Sequence, residues 1–294
     1  MRRLTYPVSP AQEGQRLETV LRHYGVSGSV IRRAKRLETG LLLDDSPAFS
    51  TALVHGGQTV SVLVDDVKPS QIPPVDGPLS ILYEDGDLLI IDKAPGVTVH
   101  PGPGHWGDSL GNYVMGYYRK IGLAADFHPV HRLDKGTSGV LVVAKHPAAQ
   151  HALTAALHSG DFYREYRAVC EGVPSPLAGV IDAPLGPSDA SRIRQEVRPD
   201  GKPARTRYET LKTAGPYSLL KLVLDTGRTH QIRAHMAHLG HPLVGDFLYG
   251  KEDRALITRP ALHSARLELT QPFTGEKLCF EVPLPEDMVR LMGL

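Results

Sequence analysis

The sequence predicts an α+β protein built on a mixed, largely antiparallel sheet with flanking helices. Strand-like and helix-like stretches are mixed without the regular alternation that a doubly wound parallel sheet requires. Apolar runs recur in pairs across turn residues, the pattern of hairpins. The 294 residues, 41% of them apolar, can bury at least one large core in one or two domains.

In chain order, residues 1–66 form a small unit. A helix begins near Arg16, a second runs through SVIRRAKRLETG and is closed by Gly40, and short strands follow around GLLLDD and QTVSVLVDD. Residues 67–78, VKPSQIPPVDGP, carry four prolines and little apolar content, which makes a packed helix or central strand improbable and predicts a linker. Residues 79–294 form the larger unit. LSILYEDGDLLIIDKAPG reads as a hairpin turning at 84–87, and HPAAQHALTAALHSG as a helix ended by Gly160. YREYRAVCEG alternates like a strand. RTRYETLKTAG and YSLLKLVLDTG are two more strands, leading into a helix over RTHQIRAHMAHLG capped by Gly240. ALHSARLELTQPFTGEKLCFEVPLP is a final hairpin turning at 272–275.

No apolar run approaches the roughly 18 residues that span a bilayer, and the opening MRRLTYPVSP lacks the apolar stretch of a secretory signal. A cytoplasmic protein without membrane partners is expected. Cys170 and Cys279 lie in apolar, strand-like surroundings without metal-type or redox-type spacing, so both are expected as buried thiols. The net charge of +1 hides a local excess: residues 1–40 carry +5, leaving −4 for the remainder. Arg22, Arg32, Arg33, Lys35 and Arg36 stand together without an acid among them. They form either a phosphate-facing patch or an ordinary solvated helix face.

The stretch HRLDKGTSG, residues 131–139, sets Asp134 between Arg132 and Lys135 and follows it with two glycines. Flanking cations favour an ionised carboxylate, suited to a nucleophile or an electrostatic stabiliser rather than a general acid; a turn aspartate in a surface ion pair is the plain alternative. His230, His235, His238 and His241 cluster in sequence, but at about 100° per residue only His235 and His238 share a helix face, and HExxH is absent. Helix-end caps or RNA-facing side chains fit them better than metal ligands. GTSGV also departs from GxSxG, which argues against a serine hydrolase.

Six stretches in order, ILYEDGDLLIIDKAPGVTVHPG, HRLDKGTSGVLVVAK, YREYRAV, GKPARTRYE, GRTHQIRAHMAHLGHPLVGDFLYG and LHSARLELTQPFTGEKLCFEVPLP, resemble the RluA family of pseudouridine synthases from about residue 80 onward. The resemblance implies a reaction in RNA: the bond from uracil N1 to the ribose anomeric carbon breaks, the base turns, and it is rejoined through C5. No cofactor and no metal are implied. It implies that Asp134 is the catalytic aspartate, with Arg233 paired to it, and that the glycines let its loop approach a nucleotide. Arg132 would enter the space of an extruded base, and Tyr166 would lie against the uracil ring and serve in proton transfer, with Arg233 as the cation stabilising its phenolate. Tyr166 as a plain core aromatic is the alternative. Ile232 would pack under the base or simply in the core, and His131, Arg228, His230 and Gln231 from the same stretches would complete the substrate site. The first unit resembles the alpha-L type RNA-binding domain of a small-subunit ribosomal protein. It departs where DDSPAFS replaces the Asn-Gly turn, with Asp44 and Asp45 set against RNA contact.

The expected protein is therefore a monomeric RNA uridine isomerase with its RNA-binding unit on a tether. Ribosomal RNA is the leading substrate and tRNA the alternative. Two rivals remain at this stage: a non-catalytic RNA-binding or ribosome-assembly factor, and a metal-dependent hydrolase using the histidines.

Overall fold

The computed structural model describes residues 2–64 and 70–294. The expected unit boundary at residue 66 and the first three linker residues, 67–69, lie outside the described residues. The first unit comprises β1 (Arg3–Pro7), α1 (Leu17–His23), α2 (Gly28–Ala34), β2 (Leu41–Leu43), β3 (Ser46–Pro47) and β4 (Thr59–Leu63), its four strands ordered β1-β4-β2-β3. Leu17, Val20 and Leu21 recur at helical spacing on α1, as do Val30, Ile31 and Ala34 on α2. These faces pack on β4 to close a small core.

Helix α2 ends at Ala34, not at Gly40 as expected. The chain turns so tightly after it that a Cβ on Gly40 would lie 1.9 Å from the Ala34 carbonyl oxygen, so Gly40 serves close approach rather than capping. Asp44 and Asp45 sit at φ 46° and 62° between paired Leu43 and Ser46. They make the two-residue hairpin turn that usually falls to Asn-Gly. Asp44 also accepts hydrogen bonds from Thr59 N–H (2.8 Å) and Gln58 Nε2 (2.7 Å), so it is occupied within the fold.

The larger unit begins with β5 (Ser80–Glu84), β6 (Leu88–Lys93), α3 (Leu110–Lys120), β7 (His128–Pro129), β8 (Ser138–Ala144), α4 (Pro147–Ser159) and β9 (Phe162–Glu171). It continues through β10 (Ala178–Asp182), β11 (Leu185–Ser188), β12 (Ser191–Val197), β13 (Arg205–Ala214), β14 (Tyr217–Leu224) and α5 (Gln231–His238), and ends with β15 (Leu262–Thr270), β16 (Lys277–Glu281) and α6 (Glu286–Met292). Ten strands form one sheet along the path β10-β13-β14-β9-β15-β8-β6-β5, with β16 and β7 pairing at its flank. Among the described pairings of this sheet only β15 with β8 is parallel, in line with the predicted α+β class. The Gly160 cap (φ 92°) and the hairpins β5–β6 and β15–β16 fall where the sequence places them.

Two further corrections concern Cys279 and the tether. Cys170 is buried, and burial pushes its thiol up to about 12, whereas Cys279 faces solvent because Leu278 takes the inward position on β16. The segment 70–79 has no regular structure, but it is strapped to α3: Asn112 donates to Pro73 O (2.9 Å) and accepts at its backbone carbonyl from Val75 N–H (3.0 Å). The first unit is held too. Arg2 reaches the buried Asp87 with two hydrogen bonds (2.7 and 2.9 Å), while Ala148 and Phe273 of the larger unit join its core. These contacts dock the unit, in contrast to the free tether expected.

Candidate active site

Asp134 stands in the loop before β8, with buried His131 and Leu133 before it and buried Thr137 after it. Among the described residues its ion pair runs to Arg233, with His230 Nε2 at 3.8 Å, and not to flanking Arg132 and Lys135, which is the reverse of what local sequence suggests. Lys135 instead turns to His105 (3.0 Å) and Arg132 projects to solvent. Gly136 and Gly139 also answer to the protein rather than to a nucleotide. A Cβ on Gly139 would lie 2.1 Å from Ser264 O, so the glycine admits the parallel β8–β15 contact.

Arg233, at the third position of α5, is the hub. Its Nε and Nη2 form a bidentate pair with fully buried Asp246 (both 2.7 Å), and its Nη1 points to Asp134 at 3.4 Å. Tyr249 and Phe247 lie against the same guanidinium, 5.1 and 5.9 Å from ring centre to Cζ. A fork fixed on Asp246 offers its remaining nitrogen to Asp134 in one geometry, which orients that carboxylate. His230, just before the helix, is left-handed at φ 55°, so the helix starts at Gln231 and not at Arg228. The Tyr249 hydroxyl accepts from Gln195 N–H (2.8 Å) and is hydrogen-bonded with His230 Nδ1 (3.2 Å), leaving Nε2 to face Asp134 at 3.8 Å. Burial holds the His230 pKa down against the pull of Asp134.

Asp134, His230 and Arg233 stand where two lobes of one cleft meet, of about 580 and 1010 Å³. Tyr166 and Arg164 line the smaller lobe. They share a face of β9 by the period-2 rule, and Tyr166 opposes Leu222 on one side and Ser264 on the other. Burial raises the Tyr166 hydroxyl pKa, Arg164 pulls it down, and Asp134 raises it further. The cation beside Tyr166 is thus Arg164, not Arg233. His131 completes this wall; its Nε2 accepts from Val142 N–H (3.3 Å), and burial together with Arg164 pushes its pKa down to about 3. It is a neutral group at any working pH.

The profile of the family described as RNA pseudouridylate synthase matches residues 87–238, which hold Asp134, Tyr166 and Arg233. The chain belongs to that family. The synthase is 36% identical to ribosomal large subunit pseudouridine synthase D of Haemophilus influenzae over 99% of this chain and 94% of that protein. It is 38% identical to the protein of the same name from Escherichia coli K12, over 98% and 93%. Among solved structures, human RNA pseudouridylate synthase domain containing 4 superposes with a TM-score of 0.59 at 26% identity, over 71% of this chain and 90% of that one. The enzyme isomerises uridine to pseudouridine in RNA.

Other expected residues of the synthase divide by what they touch. Ile232 belongs both to the main core and to the smaller lobe. Exposed Arg228 stands at the lobe's rim, its Nε donating to Pro203 O (3.0 Å). Gln231 departs from expectation. Its Oε1 accepts from Thr226 and Arg228, and its Nε2 donates to Arg205 O and Thr206, so its amide is saturated within the loop it braces and none is left for substrate. His235 is spent likewise on Thr206 and Ala183 (both 2.9 Å), and His241 on Glu171 O (2.8 Å), while His238 faces solvent. In the first unit Arg22, Arg32, Lys35 and Arg36 are exposed, Arg33 is half-buried, and Lys35 lies 3.7 Å from Glu18.

Three residues that line the cleft or act on its lining residues escaped the sequence reading. Asp246 and Arg164 are described above; the third is Lys93, 1% exposed and bonded to the carbonyls of Ala94 (2.9 Å) and Val97 (2.8 Å). Burial brings the Lys93 amine down to about 7, opposed by Asp134 and reinforced by Arg259. The only signal for Arg164 was its two-residue spacing from Tyr166.

Proposed function

We propose that the enzyme modifies ribosomal RNA, as a cytoplasmic monomer, with Asp134 facing the anomeric carbon of an extruded uridine. The observation that carries this reading is the seat of Asp134 at the junction of the two lobes, oriented by a guanidinium that Asp246 anchors. A carboxylate so held can meet the positive charge that develops when the N1–C1′ bond stretches. The smaller lobe takes the uracil ring between Tyr166 and Ile232, and exposed Arg132, which borders both lobes, fills the space the base leaves in the RNA. Arg228 and His230 guide the nucleotide at the rim. After rejoining through C5, the proton on that carbon passes to the Tyr166 phenolate, the ionised form that Arg164 favours.

Residues 1 to about 66 are proposed to bind RNA through the alpha-L type face that carries Arg22, Arg32, Arg33, Lys35 and Arg36. The relatives that cover the whole chain, this unit included, are named for the large ribosomal subunit, and that supports ribosomal RNA as substrate. Among the described residues no helix is long and apolar enough to cross a membrane.

The test is to map pseudouridines in ribosomal RNA and tRNA from cells with and without the gene, then restore wild type or Asp134→Asn. Loss at one or more ribosomal sites, restored by the wild type alone, is expected. Loss confined to tRNA would overturn the substrate, and rescue by Asp134→Asn would overturn the role of Asp134.

A further inference from the structure

The smaller lobe contains a positive charge that the fold does not compensate. Arg164 is 6% exposed, its Nε has no hydrogen-bond acceptor, and its Nη atoms lie over Gly227 at the wall of the lobe. The neighbouring Glu165 points to the opposite face of β9, where it pairs with Arg167 and accepts from Tyr163. Among the described residues no carboxylate comes within ion-pairing distance of Arg164. His131, the other polar group on this wall, is kept neutral. Burying a guanidinium without an acid costs stability, in contrast to Arg233 with its two carboxylates. Beyond lowering the Tyr166 hydroxyl pKa, such a cation gains an electrostatic function when something anionic enters the lobe.

The chemistry supplies that anion. When the N1–C1′ bond breaks, its electron pair goes to the ring, and the negative charge spreads over N1, O2 and O4. The positive charge left at C1′ is the one Asp134 faces. When C5 attacks C1′ the pair returns from the ring to the new bond, and the C5 proton leaves afterwards. The detached ring must therefore be held as an anion while it turns. We infer that Arg164 is a catalytic residue that binds the detached uracil anion through its O2 or O4, stabilising the leaving group at bond cleavage and retaining it during rotation. This rests on the proposed seating of the base in the smaller lobe. A backbone phosphate is the competing anion, but the Arg164 head lies buried beside Tyr166, whereas Arg132 and Arg228 occupy the exposed rim where phosphates pass.

The test compares Arg164→Met with wild type on the mapped ribosomal RNA fragment carrying either uridine or 5-fluorouridine at the target. Single-turnover loss of the original nucleoside is read after digestion and mass spectrometry. Fluorine withdraws electrons and makes the ring a better leaving group without help from the enzyme. The variant is expected to lose on the order of 10²-fold or more on uridine and at least tenfold less on 5-fluorouridine. Arg164→Lys should recover much of the rate. Because an uncompensated charge is removed, Arg164→Met should melt at or above the wild-type temperature. Equal losses on both substrates would overturn the inference, and with a salt slope lower by about one ion they would point to phosphate. A lower melting temperature with loss of all activity would make Arg164 structural and overturn it as well. Wild-type rates on the two substrates test the seating of the base independently.

Discussion

In the cleft, Arg233 is 4% exposed and divides its charge between Asp246 and Asp134. On and beside helix α2, Arg32 and Arg36 face solvent, and Lys35 stands 3.7 Å from a partly exposed Glu18. The same residue types therefore do different work. A buried guanidinium is fixed in direction and strongly felt, whereas an exposed one is screened, adaptable and worth little alone. The first arrangement suits chemistry at a single atom, and the second suits attraction of a polyanion of any sequence.

The sharpest way to break this contrast is at Asp134. Asp134→Asn preserves shape, so turnover should fall on the order of 10⁴-fold or more while RNA affinity changes by no more than a few-fold. Binding and single-turnover assays on one RNA check both. Arg233→Gln leaves fully buried Asp246 without its cation, so about 3–5 kcal/mol of stability should be lost with activity, measurable by urea denaturation. A single Gln substitution at Arg32 or Arg36 should change stability by less than about 0.5 kcal/mol. Tyr166→Phe keeps the ring and removes the hydroxyl, so turnover should drop on the order of 10²-fold with binding changed by less than about 1 kcal/mol.

A further prediction probes the seam between the two regions. Burial would raise the Asp87 carboxyl, but hydrogen bonds from His146, Arg2 and Gln271 outweigh it and hold Asp87 at about 2. A carboxyl depressed in the folded state stabilises above its unfolded pKa, and that contribution is lost as pH falls through the folded value. Asp87 should therefore contribute about 2 kcal/mol above pH ~4, fading toward pH ~2. The gap in melting temperature between wild type and Asp87→Asn should be full at pH 6 and shrink below pH ~4. A gap independent of pH would sever the seam from this carboxylate.

Local signals were legible wherever the local chain decides the outcome. The αL glycine at 160 follows from helix chemistry, and the face shared by Phe162, Arg164 and Tyr166 follows from strand alternation. Asp134 and Arg233, 99 residues apart, were brought together only by resemblance, because no periodicity encodes a contact of that range. Asp246 could not be read as the anchor of Arg233 for the same reason. The flanking charges of Asp134 misled, since backbone direction in the loop sends Lys135 to His105. Gln231 misled because a polar side chain beside a cleft can be consumed by its own loop. Strands β10 to β12 were unread, for AGVID, LGPS and SRIRQEV carry little apolar alternation.

The smallest effects expected are at the basic face, and they test the division of labour most directly. The measurement is the single-turnover rate against RNA concentration, at several salt concentrations, for wild type and for a variant with Arg32, Arg33, Lys35 and Arg36 replaced by Gln. The account predicts a higher half-saturation, a log–log salt slope lower by about 2 to 3, and a saturated rate within a few-fold of wild type. A saturated rate that falls as far as the affinity, or an unchanged salt slope, would contradict it.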